Sequence, residues 1–157
     1  MMKEKSKNIE PGKGLGSIQF GMTREEVKKI TGKPDEIENY QHNDIKGEKA
    51  EAWHFDDPEI SLAFEEFNDW KLSSIAISSL DFLLEGKKLM GLGKEEVLSM
   101  LKKMSLGKIE QEDCSSDESP DLYLLSVEDA GLNLWFDENV LTEIQWSQIW
   151  FDEDEEE

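Results

Sequence analysis

The sequence predicts an α+β fold in which two tandem helix-then-strands repeats form one mostly antiparallel sheet with the helices on one face. Residues 21–30 recur by residue type at 91–100, in the order glycine, apolar residue, small residue, cation, two glutamates and valine. Residues 60–66 recur at 132–138, and a short apolar strand follows each copy. The chain has 157 residues and 37% apolar side chains, which suffices for one domain with its own core. Together these observations predict a single duplicated domain.

The chain divides into three predicted parts. Residues 1–13 predict a flexible N-terminus, and residues 152–157, which are all acidic, predict a disordered tail. Residues 14–151 are predicted to form the duplicated domain, with repeat one at 14–79 and repeat two at 80–151.

The first helix has a clear beginning and end in the sequence. A glycine-rich turn at residues 11–16 leads to a short strand at 17–20 before it. Thr23 is then a good N-cap, and Glu26 stands three residues later as its capping-box partner. The Gly-Lys-Pro segment at residues 32–34 ends the helix.

The remaining elements follow from apolar periodicity and turn residues. A second helix is predicted from Lys94 to Lys103, and residues 80–90 predict a buried edge segment or a short helix. Residues 38–49 and the acidic, serine-rich residues 110–120 predict loops. The predicted strands lie at residues 50–55, 59–67, 72–78, 122–127, 131–137 and 141–150.

Alternation with a period of two decides which sheet face is buried. The apolar trios of the second strand in each copy face the predicted helices: Ile60, Leu62 and Phe64, and Leu132, Leu134 and Phe136. The opposite face carries mostly small and polar side chains, including Ala52, His54, Ala63, Glu65, Ser74, Ala76, Leu124, Trp135, Glu143 and Gln145. Such a face suits an uncovered sheet or a docking surface.

Charge and composition argue against several classes of protein. The formal net charge of −20, from 37 acidic and 17 basic side chains, repels nucleic acid and anionic lipid and favours a basic partner. Cys114 is the single cysteine, so no intramolecular disulfide is possible. The first residues lack the apolar stretch of a signal peptide, and no run of about 18 apolar residues could span a membrane. These features predict a cytoplasmic protein with no nucleic-acid partner and no membrane partner.

The sequence carries no recognisable catalytic or metal-binding signature. A thiol and base pair of Cys114 with His42 or His54 is opposed by the acidic neighbours of Cys114, which raise the pKa of a thiol. One cysteine and two unclustered histidines fall short of a zinc site, and no acidic run has the spacing of an EF-hand. The glycine cluster at residues 12–16 lacks the Gly-Lys-Ser/Thr segment of a phosphate-binding loop. We therefore predict no catalytic residue, no metal and no cofactor.

Aromatic and acidic residues instead predict a binding interface. Trp70 follows a turn and Trp135 lies on the predicted open face, whereas Trp53 and Trp146 fit the core. Tryptophan anchors bordered by carboxylates would give affinity for a basic protein and speed its encounter. The predicted partner-binding residues are Glu65, Glu66, Asp69, Trp70, Trp135, Asp137 and Glu138.

The beginning of the predicted domain resembles a known family pattern. Residues 14–27, Gly-Leu-Gly-Ser-Ile-Gln-Phe-Gly-Met-Thr-Arg-Glu-Glu-Val, and the later Gly-Lys-Pro segment fit I-x-F/L-G-M-T/S-x-x-E-V followed by G-x-P. This pattern resembles outer-membrane lipoproteins of the SmpA/OmlA type and, when duplicated, the β-lactamase inhibitory protein-like fold. It is also similar to immunity proteins encoded beside bacterial polymorphic toxins. The chain has no lipobox cysteine and no cysteine pair, which favours a cytoplasmic binder over an envelope protein.

Three functional hypotheses follow. The first is a non-enzymatic protein-binding module, an immunity or inhibitor protein that neutralises a basic partner such as a toxin. The second is an SmpA/OmlA-like assembly or housekeeping module of unknown role, which self-association through a sheet face would favour. The third is a carboxylate-dependent hydrolase, whose activity would vanish on Glu65→Ala or Asp137→Ala without loss of folding.

Overall fold

The computed structural model describes residues 8–41, 49–56, 59–118 and 120–148. Within these ranges, thirteen strands and two α-helices follow one another along the chain. In order they are β1 (Asn8–Glu10), β2 (Gly14–Leu15), β3 (Ile18–Gln19), α1 (Arg24–Thr31), β4 (Glu36–Gln41), β5 (Lys49–Asp56), β6 (Glu59–Glu65), β7 (Lys71–Ile77), β8 (Leu83–Leu84), β9 (Lys87–Lys88), α2 (Lys94–Met104), β10 (Ile109–Asp113), β11 (Leu122–Val127), β12 (Leu132–Asp137) and β13 (Val140–Ser147).

An eight-stranded antiparallel sheet, which we call the large sheet, dominates the described part of the chain. Its strand order is β10-β11-β12-β13-β7-β6-β5-β4. Strands that are neighbours in sequence pair within each half, and the halves meet where β7 pairs with β13, with Ile77 opposite Ile144. Because α1 precedes β4 to β7 and α2 precedes β10 to β13, the same order of elements occurs twice.

A second, five-stranded sheet of very short strands, the small sheet, has the order β3-β2-β1-β8-β9. Its central pair joins distant parts of the chain, because β1 runs parallel to β8 with Ile9 opposite Leu84. Leu15, Ile18 and Phe82 from this region are buried in the same hydrophobic core as the large sheet. The small sheet therefore covers one face of the large sheet together with the helices.

The predicted fold class is wrong, because the described part of the chain is mostly β, with 50% of its residues in strands and 19% in helices, two single-turn 3-10 helices included. Residues 11–16 were predicted to be a turn and residues 80–90 a buried edge segment or a short helix, but β2 in the first segment and β8 and β9 in the second are strands of the small sheet. The helices are short, and α1 buries Val27 alone. They consequently share the covering layer with the small sheet and do not form a helical layer of their own.

Two predicted loops are partly strands. Residues 38–49 contain the end of β4 and the start of β5, and residues 110–120 contain most of β10. Both β4 and β10 are outer strands of the large sheet with mostly exposed side chains. An outer strand of this kind lacks the apolar alternation that reveals inner strands. Each half therefore has four strands where the sequence predicted three.

The predicted core and helix cap are confirmed. Both apolar trios of the central strands are buried, as are Trp53 and Trp146. At the start of α1, the Thr23 hydroxyl accepts a hydrogen bond from the Glu26 N–H at 3.2 Å, and the Glu26 carboxylate accepts one from the Thr23 N–H at 3.0 Å. This reciprocal pair satisfies two donors that the first helical turn would otherwise leave free. Gly32 follows the helix as predicted.

The predicted ends of the chain are only partly described. Residues 1–7 and the acidic tail at 152–157 lie outside the described residues. The rest of the predicted N-terminal segment, residues 8–13, contains β1 and the turn after it. In the part of the chain that the structure describes, neither helix is long and apolar enough to cross a membrane.

Candidate binding face

One face of the large sheet is turned away from the core, and we call it the open face. Its side chains alternate along each strand with the core residues and pair with one another across strands. The helices and the small sheet contribute to the core on the opposite side. From the outer strand β4 to the outer strand β10, the open face includes Glu36, Glu38, Tyr40, Ala50, Ala52, His54, Ser61, Ala63, Glu65, Ser74, Ala76, Gln145, Glu143, Asn133, Trp135, Ser126, Leu124, Glu110 and Glu112.

The open face is strongly acidic. Lys71 is the lysine that the described strand register places there, opposite Glu65 at the end of β6. The negative charge is spread from one outer strand to the other, and its carboxylates are Glu36, Glu38, Glu65, Glu110, Glu112, Asp137 and Glu143. A face of one charge sign attracts a partner of the opposite sign and speeds its encounter.

Trp135 and Glu143 form an unusual pair near the middle of this face. Trp135 on β12 lies between Leu124 on β11 and Glu143 on β13, and all three side chains are partly buried. Burial raises the pKa of the Glu143 carboxyl above its ordinary value. In the described part of the chain no hydrogen bond or ion pair compensates this carboxylate. The pair thus combines an aromatic side chain with a carboxylate that is partly shielded from water and has no cation beside it among the described residues.

The two halves of the large sheet differ at this position. A register shift occurs after Ala63 in the first half and after Trp135 at the equivalent position of the second half. In the first half, however, Ala63 pairs with Ser74, whereas in the second half Trp135 pairs with Glu143. The backbone irregularity is shared, but the aromatic and acidic pair belongs to the second half alone.

The predicted binding residues do not form one cluster. Because β7 and β13 are antiparallel neighbours, the turn that leads into β7 and the turn that leads into β13 lie at opposite ends of the sheet. The Asn68 amide in the first turn donates to the Gln148 side chain, just beyond the end of β13, at 3.2 Å. Glu65, Glu66, Asp69 and Trp70 therefore lie at one end of the sheet, and Asp137 and Glu138 lie at the other.

This separation also affects the hydrolase hypothesis. Paired carboxylates can act on one bond only when they lie within a few ångströms of it. Glu65 and Asp137 are at opposite ends of the large sheet, so they do not form such a pair. Among the described residues, no group of three or more histidine, cysteine or acidic side chains could hold a metal ion.

Trp70 lies on the core side of the sheet, opposite to Trp135. Its ring is partly buried against the core, and the Arg24 guanidinium lies 4.9 Å from the ring centroid. The same guanidinium is 3.2 Å from a Glu51 carboxylate oxygen, and the other Glu51 oxygen accepts a 2.7 Å hydrogen bond from the Trp53 indole. Trp70 therefore takes part in a local network that fixes α1 to the sheet. A partner on the open face reaches Trp135 but not Trp70.

Glu138 lines a cavity of about 640 Å³ at the end of the large sheet away from Trp70, beside the start of α2. The Lys94 ammonium lies 3.9 Å from the Tyr123 ring centroid in this cavity. Lys94 begins α2 as Arg24 begins α1, so each helix starts with a cation placed over an aromatic ring. Asp113 and Asp121 also line the cavity, which gives Lys94 acidic surroundings.

Two groups of potentially reactive side chains lie near the outer strands. His54 Nδ1 is 2.7 Å from the Ser61 hydroxyl, and its Nε2 is 2.9 Å from a Glu38 carboxylate oxygen. Backbone N–H groups near Ser61 lie in the plane of the sheet and pair with neighbouring strands, so they do not point at the open face. At the far edge, burial and the Glu112 carboxylate raise the pKa of the Cys114 thiol, as predicted. Both ring nitrogens of His54 contact Ser61 and Glu38, which leaves neither to act as the base for Cys114. His42, the other predicted base, lies outside the described residues.

The sequence pattern placed Trp135 on the open face but did not single out Glu143. Glu143 appeared in the sequence as one of many carboxylates on a polar face. Its position opposite Trp135 depends on the register of β12 and β13, and a bulge in this hairpin shifts that register. The signal available in the sequence was the contrast between Ala63 and Trp135 at equivalent positions of the repeat.

Comparisons with known proteins support the fold and say little beyond it. No protein-family model matches the chain, and no curated protein matches it. Its structure is similar to the crystal structure of an extracellular protein containing a SCP domain from Bacillus anthracis str. Ames, with a TM-score of 0.54 and 17% sequence identity. The match covers 94% of this chain and 49% of that chain, so this chain spans about half the length of its structural relative. At this identity the likeness concerns the fold alone.

Proposed function

We propose that this protein is a non-catalytic binding protein whose open sheet face docks a basic partner protein, as an inhibitor or immunity protein would. The observation that carries the proposal is the partly buried Glu143 beside Trp135, in the middle of an acidic face. A lysine or arginine of the partner would supply the cation that Glu143 lacks among the described residues. The Trp135 ring would supply the apolar contact that excludes water around that ion pair.

The proposed location is the cytoplasm, and the partner would be a basic protein such as a toxin. The single cysteine and the net charge of −20 motivate both parts of this proposal. The structural relative is an extracellular protein, so fractionation of the source cells is a direct test of location. Recovery of the chain outside the cytoplasm would overturn this part of the proposal.

The binding test compares three variants of one bait protein. The bait captures partners from cell extract, and the affinity of the recovered protein is then measured by calorimetry. Trp135→Ala should weaken binding by about 2 kcal/mol or more, as expected for a central aromatic anchor. Glu143→Gln should weaken the binding free energy by about 2–5 kcal/mol, because it leaves the partner's cation unpaired. Glu110→Gln, an exposed carboxylate on the same face, serves as the control and should change affinity little.

Salt and pH provide two further readouts of the same complex. Raising salt should slow association, because the acidic face is screened. A partner cation would lower the pKa of Glu143 in the complex, so affinity should rise as the pH rises through the pKa of the free carboxyl. This pH dependence should disappear in Glu143→Gln. Equal affinities of all three variants would refute the open face as the docking surface.

Stability measurements separate a binding role of Glu143 from a structural one. Its raised pKa means that the ionised form is disfavoured in the folded protein, so Glu143→Gln should not destabilise the fold at neutral pH. A residue that is unfavourable for folding but required for binding is typical of functional sites. Marked destabilisation of Glu143→Gln would show that the side chain has a structural partner.

A further inference from the structure

The outer strand β4 has an unusual combination of exposure and composition. It pairs with β5 on one side, and no other described residue pairs with its outer edge, so within the described part of the chain the N–H and C=O groups of that edge are unpaired. Ile37 is 50% exposed and Tyr40 is 42% exposed. Ile37 is on the core side of the sheet, at its margin, beside the buried Trp53. An unpaired edge with exposed apolar side chains is a template for pairing with another strand.

This edge is held in place by contacts to the inner strands. The Glu38 carboxylate is bound by His54 Nε2 at 2.9 Å, and His54 in turn contacts Ser61 on β6. Just before the strand, an Asp35 carboxylate oxygen accepts a hydrogen bond from the Asp56 N–H at 2.8 Å. A preformed strand loses little conformational entropy when a partner pairs with it.

The opposite outer strand, β10, provides an internal comparison. Both outer strands place glutamates at alternate positions on the open face, Glu36 and Glu38 on β4 and Glu110 and Glu112 on β10. On the core side, however, Ile109 of β10 packs against the core, and the strand ends in an aspartate. Charged side chains are a common protection of sheet edges against pairing. Strand β4 has the same open-face charges but keeps an exposed apolar residue on the other side.

We propose that the outer edge of β4 binds an extended basic segment of a partner protein by strand addition. Because side chains alternate along an added strand, lysine or arginine residues at every second position would face Glu36 and Glu38. The residue between them would then lie beside Ile37 and extend the margin of the core. A second copy of this chain is a poor occupant, because each copy carries a net charge of −20. The edge is separate from Trp135, so this proposal and the proposed function can fail independently.

The test uses the intact protein and a capped synthetic peptide in which lysine and valine alternate. Amide resonances of residues 36–41 should shift on titration, and their hydrogen exchange should slow. A peptide of the same composition with its lysines grouped at one end should bind roughly tenfold more weakly, since it cannot satisfy both faces of the edge.

Two variants with the same change of charge locate the site. Ile37→Lys should weaken binding of the alternating peptide roughly tenfold, because it removes the apolar contact and adds a like charge. Gln111→Lys on β10 adds the same charge at the other edge and should change affinity by less than about twofold. Both side chains are exposed, and urea unfolding verifies that both variants fold. Equal weakening by the two variants, or peptide-induced shifts centred on residues 109–113, would overturn the assignment to β4.

Discussion

Gly14 is the position at which a single added methyl group should be most damaging. Its φ is +148°, and a Cβ built there would lie 2.0 Å from the Ile18 carbonyl oxygen and 2.9 Å from the Gln19 Cα. Non-bonded atoms need about 3.5 Å, so the β2–β3 hairpin must move. The backbone conformation costs about 1–3 kcal/mol and the overpacking about 1–3 kcal/mol, against about 0.4–1 kcal/mol gained through the unfolded chain. Gly14→Ala should therefore lower the free energy of unfolding by about 2–5 kcal/mol.

The assay is urea unfolding followed by tryptophan fluorescence, with Gly86→Ala as the matched control. Gly86 also has a positive φ, +78°, but an added Cβ would meet no atom within 4 Å. Gly86→Ala should lower the free energy of unfolding only by the cost of holding alanine at a positive φ, about 1–2 kcal/mol. The difference between the two variants isolates the clash in the β2–β3 hairpin. Equal losses of stability would show that this hairpin yields easily, and would refute the close packing inferred for the small sheet.

Two other substitutions test single contacts, with the same unfolding assay. The Trp146 indole donates a 3.0 Å hydrogen bond to the buried Gly14 carbonyl, so Trp146→Phe should cost about 1–3 kcal/mol, and a loss near zero would contradict that role. Thr23→Ala removes the helix cap and should cost about 1 kcal/mol. Hydrogen bonds from Thr23 lower the pKa of Glu26, so this carboxylate stabilises the fold above its ordinary pKa and the benefit is lost as the pH falls through the lowered pKa. Glu26→Gln should weaken this pH dependence, and an unchanged profile would show that other groups cause it.

The sequence revealed those parts of the fold that follow from local pattern. Alternation placed Ile60, Leu62 and Phe64 in the core, and a capping box located the start of α1. The small sheet could not be found in this way, because its strands of two or three residues are too short to show a period. Its central pairing of Ile9 with Leu84 is also a long-range contact that no local pattern encodes. The fold class was wrong for this reason.

The candidate site was predictable to a smaller extent. Trp135 was placed on the open face because its strand alternates clearly. Asp69 and Trp70 both have positive φ in a tight turn, so the alternation of side chains along the strand is interrupted there. The Trp70 side chain lies on the core side, with the Arg24 guanidinium over its ring. Glu143 becomes special only through burial next to Trp135, which depends on the bulged register of the hairpin. Face assignments were therefore confirmed within strands, whereas residues at turns have no alternation from which a face could be predicted.

The central pairing of β7 with β13 has a consequence for the synthesis of the chain. Ile77 leaves the ribosome long before Ile144, its partner across the sheet. Until β13 is synthesised, β7 is an unpaired edge of the first half's sheet. The core side of this half also stays uncovered until β8 is synthesised, because β8 is the strand that pairs with β1 in the small sheet. The nascent first half therefore exposes an apolar strand that could pair with other nascent chains. We expect the isolated first half to aggregate and the complete chain to fold as one cooperative unit, so the duplication does not give two independently folding parts.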